Sequence, residues 1–220
     1  MEETNFGALA PKRKEKIKEK LYIGSDESLK GDSFGGLVVA AVMVDDAGRD
    51  LLNAVGVRDS KRIQDIHIPL LAKRVREIAK YHATYSLFPE EYNDFSLTGL
   101  MNKYHHQSAD DTIKALKKDV ENMSDFEIVH VVDKFPGANV GDVLETKAES
   151  KYPEVAAASI LAREAALNQM DELSKRIGFK IPLGSTHVQG ALERLKREGH
   201  PPDKFVKVHF KNVQRVLQGN

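Results

Sequence analysis

Four acidic residues sit where a chain of this kind could do chemistry. Asp26 and Glu27 are adjacent in LYIGSDESLKGDSFGGLVVAAVMVD, Asp133 closes the apolar run IVHVVD, and Glu149 ends VLETKAE. The first three follow runs that read as buried strands, and active groups in α/β sheets gather where strands end. Carboxylates at close range raise one another's pKa and do not all stay ionised without a cation. An all-oxygen set suits a hard divalent ion, Mg²⁺ or Mn²⁺, and the absence of Cys and of clustered His argues against zinc. Two such ions about 4 Å apart can activate a water and stabilise the leaving oxygen in phosphodiester hydrolysis. The residues alone lead to a metal-dependent phosphoryl hydrolase or transferase. The plainer alternative for Asp26 and Glu27 is a solvated turn, since acidic residues are common beside Gly and Ser.

The elements that would hold these groups can be read from periodicity. A short strand, Leu21 to Ile23, precedes the acidic pair, and a glycine-bearing turn leads into a longer strand, Leu37 to Val44. After AVGVRDSKRIQD, the spacing of Leu71, Val75, Ile78 and Ala79 predicts a helix ending near Tyr81. His82 to Phe88 is a β-rich run stopped by Pro89. Residues 90 to 107 read as helical or mixed, and Ser108 with Asp111 resembles a capping pair opening a helix that carries Ile113, Leu116 and Val120. Ile128 to Val132 fits a central strand ending in Asp133, with His130 expected to pack among aliphatic neighbours. Residues 143 to 149 predict a short fifth strand or extended segment. A long helix is expected from Glu154 to Lys175, opened by the small residues VAAASILA, then helices over Val188 to Glu198 and Lys204 to Leu217. Strands alternating with helices after an antiparallel hairpin predict an α/β fold: a mixed five-stranded sheet, helices on both faces, and a helical C-terminal part.

Composition narrows the field without choosing within it. With 220 residues, 41% hydrophobic and 30% charged, the chain can bury a sizeable core as an ordinary soluble protein. No apolar run approaches the ~20 residues of a membrane-spanning helix, and MEETNFGALAPKRKEK lacks the apolar region of a signal peptide. The lack of cysteine rules out disulfides and fits a cytoplasmic location. Net charge is zero, so only its distribution speaks for nucleic acid. The N-terminal arm, residues 1 to 20, and a tail carrying Lys196, Arg197, Lys204, Lys207 and Lys211 are locally basic and could attract phosphates. Solvated helix faces look the same.

The longer motifs carry a family resemblance. GSDESLKGDSFGG resembles the DE-x-G-x-GD-x-FG signature of type 2 ribonucleases H, the ribonuclease HIII branch in particular. GVRDSKRI resembles the family's Asp-Ser-Lys motif, VVDKF its central strand and Asp, ETKAESKYPEVAAASILAR its last acidic residue with the alanine-rich helix, and VHFKNV its closing segment. The resemblance implies a ribonuclease H-like fold over residues 21 to 220 and endonucleolytic cleavage of the RNA strand of RNA/DNA hybrids, leaving a 3′-hydroxyl and a 5′-phosphate. Asp26, Glu27, Asp133 and Glu149 fall on its catalytic, metal-binding positions. Leu29, Lys30 and Gly31 fall in the loop that meets 2′-hydroxyls. Asp59, Ser60 and Lys61 match the motif that helps hold the nucleic-acid backbone, with Ser60 and Lys61 suited to phosphate contact.

Two departures carry consequences. Leu29 stands where the family's loop has its first glycine. If that position needs a positive φ, a leucine there costs on the order of 1 kcal/mol or more, and hybrids with several consecutive ribonucleotides are expected to be better substrates than a single embedded ribonucleotide. The HIII branch also usually carries a separate substrate-binding domain, which a 20-residue arm is not. The chain therefore reads as a catalytic domain, expected to act as a monomer, with substrate binding supplied by its basic segments or by a partner protein. Two rival functions use the same residues: a nuclease of the same fold acting on structured DNA, and a catalytically weak hybrid-binding protein.

Overall fold

The computed structural model describes residues 18 to 57 and 63 to 219. Among them the strands form one five-stranded sheet built on β1 (Glu19–Ser28), with β2 (Leu37–Val44) antiparallel on one side and β4 (Phe126–Asp133) parallel on the other. β3 (Tyr81–Leu87) pairs antiparallel with β2, and β5 (Val143–Glu145) pairs parallel with β4, giving the order β3-β2-β1-β4-β5. The mixed sheet is as expected, but β1 runs on past Ile23. Asp26, Glu27 and Ser28 stay in register with Ala40, Val39 and Val38 of β2. The acidic pair is thus inside the end of the ladder rather than in a turn after it.

Every residue of β2 is buried, because both faces of the sheet are covered. Val38, Ala40, Val42 and Val44 face a core that includes α5 (Pro153–Ile177), α2 (Ile68–Ile78) and Leu52 of α1 (Asp46–Ala54). Leu37, Val39, Ala41 and Met43 face the other way, toward Tyr92 of α3 (Pro89–Tyr92) and toward α4 (Leu97–Asp119). The small residues that open α5 do what small residues allow. Ala156, Ala157, Ala158 and Ala162 are fully buried, and a Cβ placed on Gly24 would lie 2.2 Å from the Glu154 carbonyl carbon. Backbone therefore rests on backbone where α5 crosses β1. Arg49 anchors the same helix end, donating to both oxygens of the buried Glu154 at 2.9 and 3.0 Å while stacking over Tyr22.

Two expected elements are corrected and one is added. Ser108 does not open a helix: it is buried inside α4, and its hydroxyl bonds the His105 carbonyl. The cap is Ser96, whose side chain accepts from Gly99 N. α1 has no counterpart among the expected helices, although Asp45 caps it by accepting from Gly48 N. The last helix is shorter than its pattern implies. After α6 (Gln189–Arg197), a tight turn, Pro202–Lys204, leads to a single bridge between Val206 and Phe34 and a second turn, and only then does α7 (Lys211–Gln218) begin. No helix of the described residues is long and apolar enough to cross a membrane.

Candidate active site

Alternation along β1 sends its two carboxylates off opposite faces of the sheet. Leu21, Ile23, Ser25 and Glu27 share the α4 face, where Ser25 and Glu27 both meet His105. Asp26 points to the α5 face, into a cleft of about 340 Å³ lined also by Ser28, Ile63, Asp65, Glu149 and Arg163, and Glu27 reaches its rim. β4 runs parallel to β1 and ends beside it, so Asp133 comes to the same end of the sheet, its Oδ1 accepting from Ala148 N at 3.0 Å. Glu149 arrives on a 3-10 turn, Ala148–Ser150, entered through Lys147 in a left-handed conformation at φ 56°. It too is buried. The sheet therefore brings the four carboxylates chosen from the sequence to one edge of the molecule, one of them reaching it from the opposite face.

The electrostatics are those of a crowded anionic site. Burial raises the Asp26 carboxyl well above its ordinary range, the charges of Glu27, Asp133 and Glu149 add to this, and the hydrogen bond from Glu27 N opposes it. Asp133 is raised for the same reasons, burial first, partly relieved by Ala148 N. Glu27 differs. Burial pushes it up, but the hydrogen bond and charge of His105 and the ammonium of Lys30 pull it down to about 2. Lys30 pairs directly with Glu27 Oε1, and Asp26 and Asp133 further support its charge against burial. A cluster that already draws a cation onto itself has the chemistry for a divalent ion. Among the described residues, no three acidic or histidine side chains converge closely enough to hold one ion as they stand. Asp133 is turned to Ala148 N, Asp26 to Glu27 N, and Glu27 to Lys30 and His105.

The loop after β1 is shaped from a distance. Leu29 takes φ 65°, the positive value that its place in the motif raises as a possibility, yet its side chain is 2% exposed and packs in the main core rather than over a groove. Gly31 is exposed beside Lys30. The rest of the loop is tied to the C-terminal part of the chain. Gly184 N donates to Asp32 Oδ1, Ser33 N donates to Gly184 O, Gly35 N to Phe205 O, and Lys207 N to Ser33 O. The Lys207 ammonium, fully buried, donates to the carbonyls of Asp32 and Gly35 at 2.7 Å each and lies over the Tyr92 and Phe210 rings. Its expected role in a phosphate-attracting tail is corrected: it is a clamp inside the protein. Gln169 of α5 fixes the loop's far end, accepting from Gly36 N and donating to Leu87 O.

Other expected residues fall elsewhere. Asp59, Ser60 and Lys61, and the arm up to residue 17, lie outside the described residues. Glu19 and Lys20, counted with the arm, already pair with Phe126 and Glu127 in the sheet. His130 is the packed sheet histidine expected, and it also shares a 2.8 Å hydrogen bond with Ser25 Oγ, which in turn meets His105 Nδ1 at 2.8 Å. Neither Ser25 nor His105 is legible as a site residue from the sequence. Only their long-range pairing marks them, and no local spacing encodes it.

Comparison with known proteins agrees with this geometry. The family model for ribonuclease HII matches residues 23 to 213. The ribonuclease HIII of Oceanobacillus iheyensis is 34% identical over 220 aligned residues, which cover 89% of this chain and 68% of that protein. The ribonuclease HIII of Mycoplasma pneumoniae is 32% identical, covering 89% of this chain and 94% of that protein. The solved structure of Bst-RNase HIII in complex with Mn²⁺ superposes with a TM-score of 0.78 at 28% identity, over 92% of this chain and 70% of that one. The ribonuclease H2 of Pyrococcus horikoshii, at 21% identity and a TM-score of 0.69, shares the fold. Asp26, Glu27 and Asp133 at one end of adjacent central strands, the signature loop after the first strand and a family match over nearly its whole length together make this chain a member of the ribonuclease HII family.

Proposed function

We propose that this chain is a metal-dependent ribonuclease H that hydrolyses the RNA strand of RNA/DNA hybrids, with Asp26, Glu27, Asp133 and Glu149 as its metal-binding set and two Mg²⁺ or Mn²⁺ ions taking part. The observation that carries the assignment is the arrival of Asp26 and Asp133 at the ends of adjacent parallel strands, with Glu149 on the turn beside them. Divalent ions bound there would activate the attacking water and stabilise charge on the leaving oxygen. The protein's own residues supply the rest. Crowding and burial raise the carboxyls of Asp26 and Asp133, which a cation would reverse, while Lys30 offers an ammonium beside the site for a phosphate or sugar oxygen. In hydrolysis the water oxygen bonds to phosphorus, the bond to the 3′-oxygen breaks, and that oxygen leaves as a hydroxyl, so the products are a 3′-hydroxyl and a 5′-phosphate.

In the same reading, Lys30 and Gly31 face the 2′-hydroxyls, Leu29 supports their loop from the core, and Ser60 and Lys61 hold the backbone. The arm and the catalytic domain meet near residue 18, and the domain acts as a cytoplasmic monomer, with or without a partner protein for extra substrate binding. Cleavage of matched RNA/DNA, DNA/DNA and RNA/RNA duplexes tests the reading. Cleavage confined to RNA/DNA, abolished by a chelator and restored by Mn²⁺ or Mg²⁺, is expected. Asp26→Asn and Asp133→Asn should each cost about a hundredfold or more in rate at ordinary metal concentration and leave the protein folded, because each removes a carboxylate from a like-charged cluster. Retention of a tenth of the rate by both would contradict the assignment, and cleavage of DNA/DNA would point to the structured-DNA nuclease.

A further inference from the structure

Two histidines lie buried in the core behind the acidic edge, and hydrolysis as described above uses neither. His105 is fully buried on α4, and His130 is 8% exposed on β4. Between them stands Ser25, also fully buried, one residue before Asp26. Three contacts join them into a line: His130 Nε2 to Ser25 Oγ at 2.8 Å, Ser25 Oγ to His105 Nδ1 at 2.8 Å, and His105 Nε2 to Glu27 Oε2 at 3.2 Å. An ionised carboxylate only accepts, so His105 Nε2 carries a proton and donates to Glu27 Oε2 whatever the order of protons behind it. The Phe135 ring stacks on His105 at 5.4 Å, and Asp142 Oδ2 accepts from His130 N at 2.8 Å, so both ends of the line are held in place.

We propose that His105, backed by Ser25 and His130, is the positioning residue for Glu27: it fixes Oε2 and leaves Oε1, the oxygen now paired with Lys30, as the one that turns to a divalent cation. The proposal rests on Glu27 being a metal ligand and says how one strand can supply ligands from both faces. Asp26 reaches the site directly, whereas Glu27 starts on the far face and needs a partner to hold its carboxylate at the edge. Any buried imidazole needs partners for its nitrogens, but this one directs Nε2 at a carboxylate of the site rather than at a backbone carbonyl. This one has both nitrogens committed.

The test reads metal binding without substrate. Mn²⁺ is titrated into the purified full chain by calorimetry and by electron paramagnetic resonance, alongside thermal unfolding and steady-state cleavage of an RNA/DNA hybrid. His105→Leu is expected to weaken Mn²⁺ binding about tenfold or more, as loss of an orienting partner usually does, with kcat falling at moderate metal and KM for the hybrid changing less than about twofold. His105→Gln, whose amide can still donate to Glu27, should recover part of the affinity. Ser25→Ala removes the link without touching Glu27 or the ring, and should shift Mn²⁺ affinity in the same direction by about threefold, below the range for a direct orienting partner. It decides the matter if His105→Leu fails to fold. Wild-type Mn²⁺ affinity in His105→Leu or Ser25→Ala, with only the melting temperature lowered, would overturn the proposal. Glu27→Gln separates the two levels. Unchanged binding and cleavage there would remove Glu27 from the metal set and the proposal with it, whereas an impaired Glu27→Gln beside unimpaired His105 and Ser25 variants would reject the positioning role alone.

Discussion

His130 is the side chain through which the fold should feel acid. Burial, followed by the charges of His105 and His106, holds its imidazole down to about 4 against some support from Asp142, while an unfolded chain titrates near 6.5. Between those values the unfolded state takes up a proton that the native state refuses, so stability is full above the unfolded pKa and falls as pH drops from 6.5 toward 4. The loss amounts to about 3 kcal/mol. Urea midpoints at pH 7 and pH 4.5 would show it, and His130→Gln, which cannot take up the proton, should flatten that part of the pH profile. Leu29 poses the opposite trade. Its φ of 65° carries strain of about 1 kcal/mol, yet its side chain is almost fully buried in the main core, and truncating a buried leucine costs about 2 to 5 kcal/mol. Leu29→Gly should therefore lower stability by a net 1 to 4 kcal/mol, roughly, as read by equilibrium denaturation. An unchanged or raised midpoint would mean that strain outweighs packing. The position of Leu29 in its motif tells of the strain. The side chain's place in the core depends on residues far along the chain and is not legible locally.

Elements are legible where their pattern is local and periodic. β2 falls on its expected bounds because eight apolar residues in a row, closed by Asp45, have few other uses. α5 is legible from its alanines, since only small residues let a helix lie this close to a sheet. The start of α4 is hidden because its cap, Ser96, precedes a segment interrupted by Gly99, Asn102, His105 and His106, whereas Ser108 imitates a cap while bonding back to His105 O inside the helix. α1 is obscured because Gly48 weakens its helical signal. That glycine is kept because a Cβ there would come within 2.9 Å of Val44 Cβ. The contact of α5 with β1 carries the element-scale prediction. At Gly24 a methyl group would meet the Glu154 and Val155 backbone at 2.2 to 2.5 Å, and neither a strand nor a helix end can yield cheaply. Gly24→Ala should cost on the order of 3 kcal/mol and disturb the Arg49 to Glu154 pair that anchors the helix start. A melting temperature within about a degree of wild type would show that α5 can slide on the sheet, since a loss of 1 kcal/mol alone shifts it by roughly 2 to 4 °C at this size.

At the scale of the whole molecule, zero net charge hides an uneven surface. The acidic edge must accept a polyanion, and basic segments must outweigh it. The sequence shows where the basic residues are but not which of them reach solvent. Lys207 is inside the protein, whereas Lys196 is exposed even as it donates to Val216 O. The arm before residue 18 sets Lys12, Arg13, Lys14 and Lys16 close together, a run of charge suited to phosphates. Deleting residues 1 to 17, which spares the sheet residues Glu19 and Lys20, should raise KM for the hybrid more than it lowers kcat. It should also flatten the fall of affinity with salt, because each phosphate that the arm no longer neutralises takes about 0.9 from the logarithmic salt slope. An unchanged KM and slope would make the arm a bystander.

The clamp around Lys207 also sets an order in time. In the loop that follows β1, Asp32 owes its hydrogen bonds with Gly184 and Lys207 to residues made 152 and 175 positions later. At ribosomal rates of about 5 to 20 residues per second, the acidic pair emerges roughly 8 to 35 s before the segments that shape the loop beside it. A nascent chain that already displays its carboxylates therefore lacks the loop geometry that its last segments impose. The growing polypeptide acquires the working shape of this loop only after Lys207 has been made.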